Sequence, residues 1–132
     1  MKGFNGNIEK LALENDDFRH VLYTAHHSQL VVMSLKPKEE IGMEVHKEND
    51  QFFRVEKGKG KVLIDGNEYD VKDGSAIVVP AGAEHNVTNV SKTENLKLYT
   101  IYSPAHHQDT VVRATKEEAE KDSPEFDGKT TE

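Results

Sequence analysis

"GSAIVVPAGAEHNVTN", residues 74–89, carries the clearest structural signal in this 132-residue chain. Its apolar run "SAIVVP" is typical of a buried β-strand, and the Asp73-Gly74 pair that precedes the run marks a turn. A second short segment, "HNVTNV", follows directly. The stretch therefore predicts two short strands in a chain that reverses direction often.

The segments on both sides of this stretch repeat the pattern of short strands and turns. "QFFRVEKG" (51–58) alternates with a period of two, which places every second side chain on the same face of a strand. Asp65-Gly66 is a dipeptide that tolerates the positive φ angles of a tight hairpin turn. Two further apolar segments are "HSQLVVMSL" (27–35) and "LKLYTIYS" (96–103). Short strands separated by turns every ~8–12 residues predict an all-β antiparallel sandwich or barrel.

The charge of the chain is concentrated at one end. Residues 114–132 carry seven acidic and three basic side chains, which is −4 of the net −7, so the body of the chain is only mildly acidic. The length suits one domain, which we place at residues 1–113, followed by a short helix and an acidic tail. Thr115 and Glu118 form a capping box that predicts this helix, and a weaker helical pattern lies near the N-terminus in "NIEKLALEN".

Composition excludes several classes of protein. The body has no basic stripe, which argues against binding to nucleic acid or to an anionic membrane surface. The chain has no cysteine, so disulfides and thiolate metal sites are excluded. The N-terminus lacks a hydrophobic signal core, and no apolar run approaches ~20 residues. We therefore expect a cytoplasmic protein.

Five residues of the opening stretch coincide with a family motif. Gly74, Pro80, Gly82, His85 and Asn89 occupy every fixed position of G(X)5PXG(X)2H(X)3N, the second motif of the cupins. The chain thus resembles a small single-domain cupin. This resemblance implies a jelly-roll β-barrel, also called a double-stranded β-helix.

The first cupin motif, G(X)5HXH(X)3,4E(X)6G, is matched only in part. Counting back from Gly58 places Gln51 at the position of the family's glutamate. His46 then takes the second histidine position, and Glu44 takes the first. Gly42 lies closer to this pair than the motif's opening glycine does. The single carboxylate of the usual ligand set is therefore kept, but it lies at the first histidine position and not at the glutamate position.

The resemblance implies one divalent transition metal inside the barrel, with all ligands drawn from residues 42–89. Carried over by position, the metal ligands are Glu44, His46, Gln51 and His85. Independently of the family, Glu44 and His46 are two residues apart and so share a strand face. Two imidazoles, one carboxylate and one amide suit Fe, Mn, Co, Ni, Cu or Zn, and the weak amide ligand predicts exchangeable binding.

Each of these ligand assignments has an alternative, and His46 and His85 are also consistent with ordinary histidines of the core or the surface. Glu44 is also consistent with a solvated acid at a strand edge, and Gln51 with a hydrogen-bonding residue that does not ligate. With neither as a ligand, only His46 and His85 would remain, and the site would be weak or absent.

A histidine pair near the end of the predicted barrel offers a second kind of chemistry. His106 and His107 follow the last clear strand, where a chain crossing the barrel mouth presents an imidazole as a general acid or base. Because adjacent residues of an extended chain point in opposite directions, at most one of the two can face the cavity. The alternative is a loop that covers the barrel. His26 and His27 precede a strand and are predicted at the surface or in an oligomer contact.

One outward-facing aromatic residue bears on oligomerisation. Phe52 lies on the opposite strand face from Gln51, and an exposed phenylalanine on a sheet is unfavourable unless another surface covers it. Because cupins commonly dimerise through such faces, the resemblance also implies a homodimer.

Three functions are consistent with these residues. The first is a metal-dependent enzyme of isomerase or lyase type acting on a small oxygen-rich substrate such as a sugar, a uronate or a keto acid. Small cupins of this sort are often labelled mannose-6-phosphate isomerase-like, and some that process sugar acids carry glutamine at the position of Gln51. The second is a metal-dependent dioxygenase using the same site. The third is a cupin that binds a small molecule without catalysis.

Overall fold

The computed structural model describes residues 1–132 as ten strands and two short helices. In chain order the elements are α1 (Ile8–Glu14), β1 (Arg19–Thr24), β2 (Gln29–Leu35), β3 (Glu44–Val45), β4 (Asp50–Lys57), β5 (Lys59–Ile64), β6 (Asn67–Lys72), β7 (Ala76–Val79), β8 (Glu84–Asn89), β9 (Leu96–Ser103), β10 (Val112–Arg113) and α2 (Lys116–Lys121). None of the helices is long and apolar enough to cross a membrane.

The strands form two antiparallel sheets that enclose the core. One sheet has the order β10-β1-β2-β9-β4-β7 and the other has the order β3-β8-β5-β6. Neighbouring strands are often distant in sequence, as in β4 beside β9 and β3 beside β8. Aliphatic and aromatic side chains from the two inner faces form a single core. The predicted all-β jelly roll with a short C-terminal helix is confirmed.

The alternation in β4 positions a polar residue inside the barrel. Gln51, Phe53 and Val55 point inward and are almost fully buried, whereas Arg54 on the opposite face is exposed. Burial of Phe53 and Val55 stabilises the strand by about 1.5–3 kcal/mol for each side chain. These residues therefore fix the register in which Gln51 faces the interior.

The predicted hairpin and its turn are also present. Asp65 has φ 45° and Gly66 has φ 81°, which are the two positive values of a type I′ turn between β5 and β6. Gly58, which ends the first motif, has φ 117°, and a Cβ placed there would lie 3.0 Å from the carbonyl oxygen of Asn95. Glycine is required at this motif position by both backbone angle and space.

The helix after the barrel begins at the predicted cap. The hydroxyl of Thr115 accepts a hydrogen bond from the backbone N–H of Glu118 at 3.1 Å. The carboxylate of Glu118 receives the N–H of Ala114 at 2.9 Å, not that of Thr115 as a standard capping box requires. The side chain of Glu118 thus bonds the backbone one residue before the N-cap, and not the N-cap residue itself.

The acidic tail is docked on the barrel. The N–H of Gln108 donates to the carbonyl of Pro124 at 3.0 Å, and the N–H of Phe126 donates to the carbonyl of His106 at 2.9 Å. Farther along, the N–H of Thr131 donates to the carbonyl of Thr24 in β1 at 2.9 Å. These bonds lay the tail across the loop that follows β9. The domain boundary at residue 113 stays a prediction.

The outer face of the six-stranded sheet is partly apolar. Phe52 is half-buried, and its ring centroid lies 6.1 Å from that of Tyr99. Val78, its register partner on β7, is 65% exposed. The homodimer inferred from Phe52 stays a prediction. His26 and His27 are exposed, as expected.

Candidate metal centre

Strands of both sheets bring the four candidate ligands to one end of the barrel. Glu44 on β3 is the register partner of His85 on β8, and His46 directly follows β3. Gln51 approaches from β4 in the other sheet. The ligand atoms of Glu44, His46 and His85 lie within 4.8 Å of one another, so these three side chains could hold one metal ion.

His85 is oriented as a metal-binding histidine would be. It is buried, and its Nδ1 lies 3.0 Å from the carbonyl oxygen of Ala83, which can only accept a hydrogen bond. Nδ1 therefore carries the proton, and the lone pair of Nε2 points into the site. Backbone bonding of the remote ring nitrogen is the usual way in which a protein fixes the tautomer of a ligating histidine.

The side-chain oxygen of Gln51 is a second acceptor that points toward Nε2 of His85. Its Nε2 donates to the hydroxyl of Thr100 at 3.0 Å, which turns Oε1 toward His85. Oε1 lies 3.2 Å from Nε2 of His85, so an oxygen lone pair and a nitrogen lone pair face each other. Two buried acceptors in contact are unfavourable unless a cation or a proton lies near both. The donor set therefore fits a divalent cation.

Glu44 supplies the negative charge of the cluster. Its Oε2 lies 3.1 Å from Nε2 of His46. Burial opposes ionisation, but the hydrogen bond and charge of His46, with weaker contributions from Arg19 and His85, lower the pKa of Glu44 below its ordinary value. The carboxylate is thus ionised at neutral pH and available as a ligand.

His106 lies at the mouth of this centre. Its ring centroid is 4.3 Å from that of His46, and both residues line an open cavity of about 380 Å³. Glu125 and Phe126 of the docked tail form the opposite wall. Burial, reinforced by the positive potential of His46, lowers the pKa of His106 to about 4. At neutral pH the imidazole is therefore uncharged.

His107 occupies a different environment from its neighbour. It is buried, does not line the cavity, and places Nε2 3.2 Å from the hydroxyl of Tyr102. Burial and the nearby charge of Arg19 lower the pKa of His107 to about 2. The two rings do not point apart as in an extended chain, since both pack against Tyr102 with centroids 5.3 and 5.1 Å away.

Two buried amides hold the histidine loop in place, and sequence reasoning missed both. Gln29 accepts the backbone N–H groups of His106 at 3.2 Å and His107 at 2.9 Å, and it donates to the carbonyl of His107 at 2.7 Å. Asn49 donates to the carbonyl of Pro104 at 2.7 Å. The available signal for Gln29 was a polar residue within the apolar β2 segment.

The second motif also contributes structural contacts. The backbone N–H of Gly82 donates to the carbonyl of His46 at 2.9 Å, which ties the β7–β8 turn to the loop after β3. Asn89 is completely buried, and its amide donates to the carbonyls of Leu35, Lys36 and Glu94 at 2.8–3.0 Å. Of the five motif residues, only His85 reaches the candidate metal centre.

Comparison with known families agrees with this architecture. Residues 31–102 match the Cupin_2 family, described as "Cupin domain". In the solved structures, BH2720 from Bacillus halodurans has a TM-score of 0.89 and 39% sequence identity, and the alignment covers 92% of this chain and 96% of that one.

Two curated sequences are similar to the chain over much of its length. "Uncharacterized protein L612" of Acanthamoeba polyphaga mimivirus is 49% identical over 76% of this chain. "Uncharacterized protein YrkC" of Bacillus subtilis is 44% identical over 89% of this chain. The alignments cover 65% and 66% of these relatives, so the chain spans about two thirds of their length.

Proposed function

The chain belongs to the cupin family, and from its site we propose that it is a metal-dependent enzyme of isomerase or lyase type. Its substrate is a small oxygen-rich molecule such as a sugar, a uronate or a keto acid. Glu44, His46, Gln51 and His85 hold one divalent transition metal. When bound, the metal supplies a Lewis acid that polarises a substrate carbonyl or hydroxyl oxygen.

One observation carries the metal assignment. His85 and Gln51 present two acceptors to each other at 3.2 Å, next to the carboxylate of Glu44. With His85 neutral and no metal, these electron-rich atoms would face one another unsatisfied, although the polar partners behind His85 and Gln51 already orient them, and a divalent cation between them removes this conflict. The same arrangement supports a ligand role for Gln51 over a purely structural one.

The histidine at the mouth supplies the acid–base group. His106 lines the cavity beside His46, and its backbone is anchored by Gln29, so the imidazole is held at the entrance while its ring remains accessible. We assign to His106 the transfer of a proton to or from a substrate carbon or oxygen. His107, which is buried against Tyr102, has no access to substrate.

Elemental analysis tests the metal assignment. Wild type refilled with single divalent ions should bind close to one metal per chain, and His46→Ala, His85→Ala and Glu44→Gln should each lose at least tenfold in affinity. His26→Ala is the matched control, because this histidine is exposed and distant from the centre. Equal metal binding by the control and the site variants would refute the assignment.

Exchange of substrate hydrogen with D2O, followed by ¹H NMR on a panel of sugar acids and keto acids, tests the enzymatic part. Metal-loaded wild type should exchange a carbon-bound proton next to a carbonyl, and His106→Asn should lower the rate by 10²-fold or more. Exchange should proceed equally without oxygen, which distinguishes this chemistry from that of a dioxygenase. A metal-loaded protein that binds panel members but leaves them unchanged would instead be a non-catalytic binding protein.

A further inference from the structure

A buried arginine lies beside the barrel mouth without a charged partner. Arg19 begins β1 and shares the inward strand face with Val21, and it is only 5% exposed. No carboxylate lies within 4.0 Å of its guanidinium. Arginines are rarely buried unless they are paired, because removing a full charge from water is costly.

The donors of this guanidinium are largely unused. Nη1 donates to the hydroxyl of Ser123 at a long 3.4 Å, and this is the only hydrogen bond from the side chain. Nε is shielded from solvent and has no partner at all. The flat face packs on the ring of Phe18, with the carbon of the guanidinium 5.4 Å from the ring centroid. Nε and Nη2, which form one edge of the guanidinium, thus donate to no protein atom.

The neighbouring strand shows that a carboxylate is available but is used elsewhere. Arg113 is the register partner of Arg19 on β10, and it donates to the carboxylate of Asp122 at 3.0 Å and to the carbonyl of Asp122 at 2.7 Å. Ser123, the next residue, is the one whose hydroxyl contacts Arg19. The tail therefore neutralises the outer arginine and leaves the inner one with a hydroxyl.

Arg19 also contributes positive potential to the end of the barrel that carries the candidate ligands. Its positive charge contributes to the lowered pKa of Glu44, of His106 and of His107. Carboxylate and phosphate oxygens match the two donors of such an unused guanidinium edge in pairs, so an anion is the kind of ligand that would satisfy it.

We propose that Arg19 is an anion-binding residue of the barrel, whose Nε–Nη2 edge binds the carboxylate or phosphate group of a small ligand. This inference deepens the proposed function. It rests on that function only in taking the bound anion to be part of the substrate. It selects acidic substrates, such as sugar acids, keto acids or phosphorylated sugars, over neutral sugars. Because Nε is shielded from solvent, the residues packed beside this edge must move when the anion enters, whereas the contact between Nη1 and Ser123 lies outside the edge and can persist.

Anion binding to the chelator-treated full chain tests this inference without any metal. The probes are inorganic phosphate and propionate, which represent the two oxyanion classes, and sodium chloride at equal ionic strength is the reference. At least one probe should raise the melting temperature of wild type more than chloride does and should show binding in isothermal titration. The more effective probe identifies the oxyanion class that the site prefers. Arg19→Gln should weaken binding at least tenfold, whereas Arg113→Gln, which keeps Arg19, should change it less than threefold.

Two more variants separate binding from a structural role. Arg19→Met should raise the melting temperature of the anion-free protein, because it removes an unpaired buried charge, and should abolish the response to anions. Arg19→Lys keeps the positive charge and replaces Arg19→Gln as the test if the glutamine variant does not fold. It should bind the anion more weakly than wild type, because lysine lacks the paired donors. A lower melting temperature for Arg19→Met with an unchanged anion response, or no response in wild type, overturns the inference.

The metal-free format distinguishes this failure from failure of the proposed function. His46→Ala should lose metal and still bind the anion. A wild type that binds the anion but no divalent ion would contradict the proposed function and support the arginine site. A wild type that binds metal but no anion would support the metal site of the proposed function and contradict the arginine site.

Discussion

Replacing His107 with glutamine should make the protein less sensitive to mild acid. The ring is only 4% exposed, and burial lowers its pKa from 6.5 to about 2, so the native state keeps it neutral while the unfolded chain takes up a proton below pH 6.5. A group whose native pKa is lowered contributes stability that is fully present above the unfolded pKa. That contribution is lost as the pH falls from 6.5 toward 2.

The size of the effect follows from these two values. Each pH unit within this window corresponds to about 1.4 kcal/mol. Between pH 7.5 and pH 5.0, His107 alone should remove about 2 kcal/mol from the free energy of unfolding. His107→Gln cannot take up this proton, and its amide can still contact the hydroxyl of Tyr102.

Urea unfolding at the two pH values, with a chelator present throughout, measures this difference. The loss of stability between pH 7.5 and pH 5.0 should be smaller in His107→Gln than in wild type by about 2 kcal/mol. Comparing each protein with itself cancels any constant cost of the substitution. His26→Gln, which removes an exposed histidine, should behave as wild type does. Equal loss of stability in wild type and His107→Gln would refute the conclusion that the imidazole of His107 is neutral in the native state.

Three other substitutions test the fold and the assembly. Asn89→Ala should lower the free energy of unfolding by roughly 3 kcal/mol, because three backbone carbonyls lose their donor, whereas exposed Asn67→Ala should cost less than about 1 kcal/mol in the same urea titration. Gly58→Ala should cost more than about 1 kcal/mol, since the new Cβ meets a backbone oxygen at a positive φ, and a cost below that would contradict the assigned backbone. In sedimentation velocity, wild type and Lys61→Glu on the other sheet should be dimers and Val78→Glu a monomer; a monomeric wild type would contradict the predicted homodimer, and a dimeric Val78→Glu would exclude this face as the interface.

Local rules explain why much of the candidate site was predictable. Turn and strand preferences predicted the all-β class, and the residues of the second motif carried the resemblance that implied the jelly roll and the role of His85. The resemblance also placed Glu44 and His46 among the ligands, and their two-residue spacing, which puts both on one face of a strand, supported this. Gln51 was assigned by counting back from Gly58 in the first motif, and the alternation of β4 agrees with its inward position. The carboxylate's move from its usual position was visible in the sequence, and the structure brings Glu44 within reach of both histidines.

The surroundings of the site depend on contacts between distant segments. Gln29 lies far from His107 in sequence, and nothing local indicates that its amide anchors that loop. The position of the tail does not follow from the sequence, because an acidic segment with one aromatic residue is compatible with either disorder or docking. The hydrogen bonds between Phe126 and His106 exist only once β9 and its loop are in place.

The sequence by itself therefore determined the all-β class, the turns and the inward faces, because φ preferences and period-two alternation are properties of short segments. Tertiary structure alone decided that His107 is buried while His106 lines the mouth, and that Arg19 has no carboxylate partner. Burial and pairing depend on which strands become neighbours. In this fold those neighbours, such as β1 and β10, are separated by most of the chain.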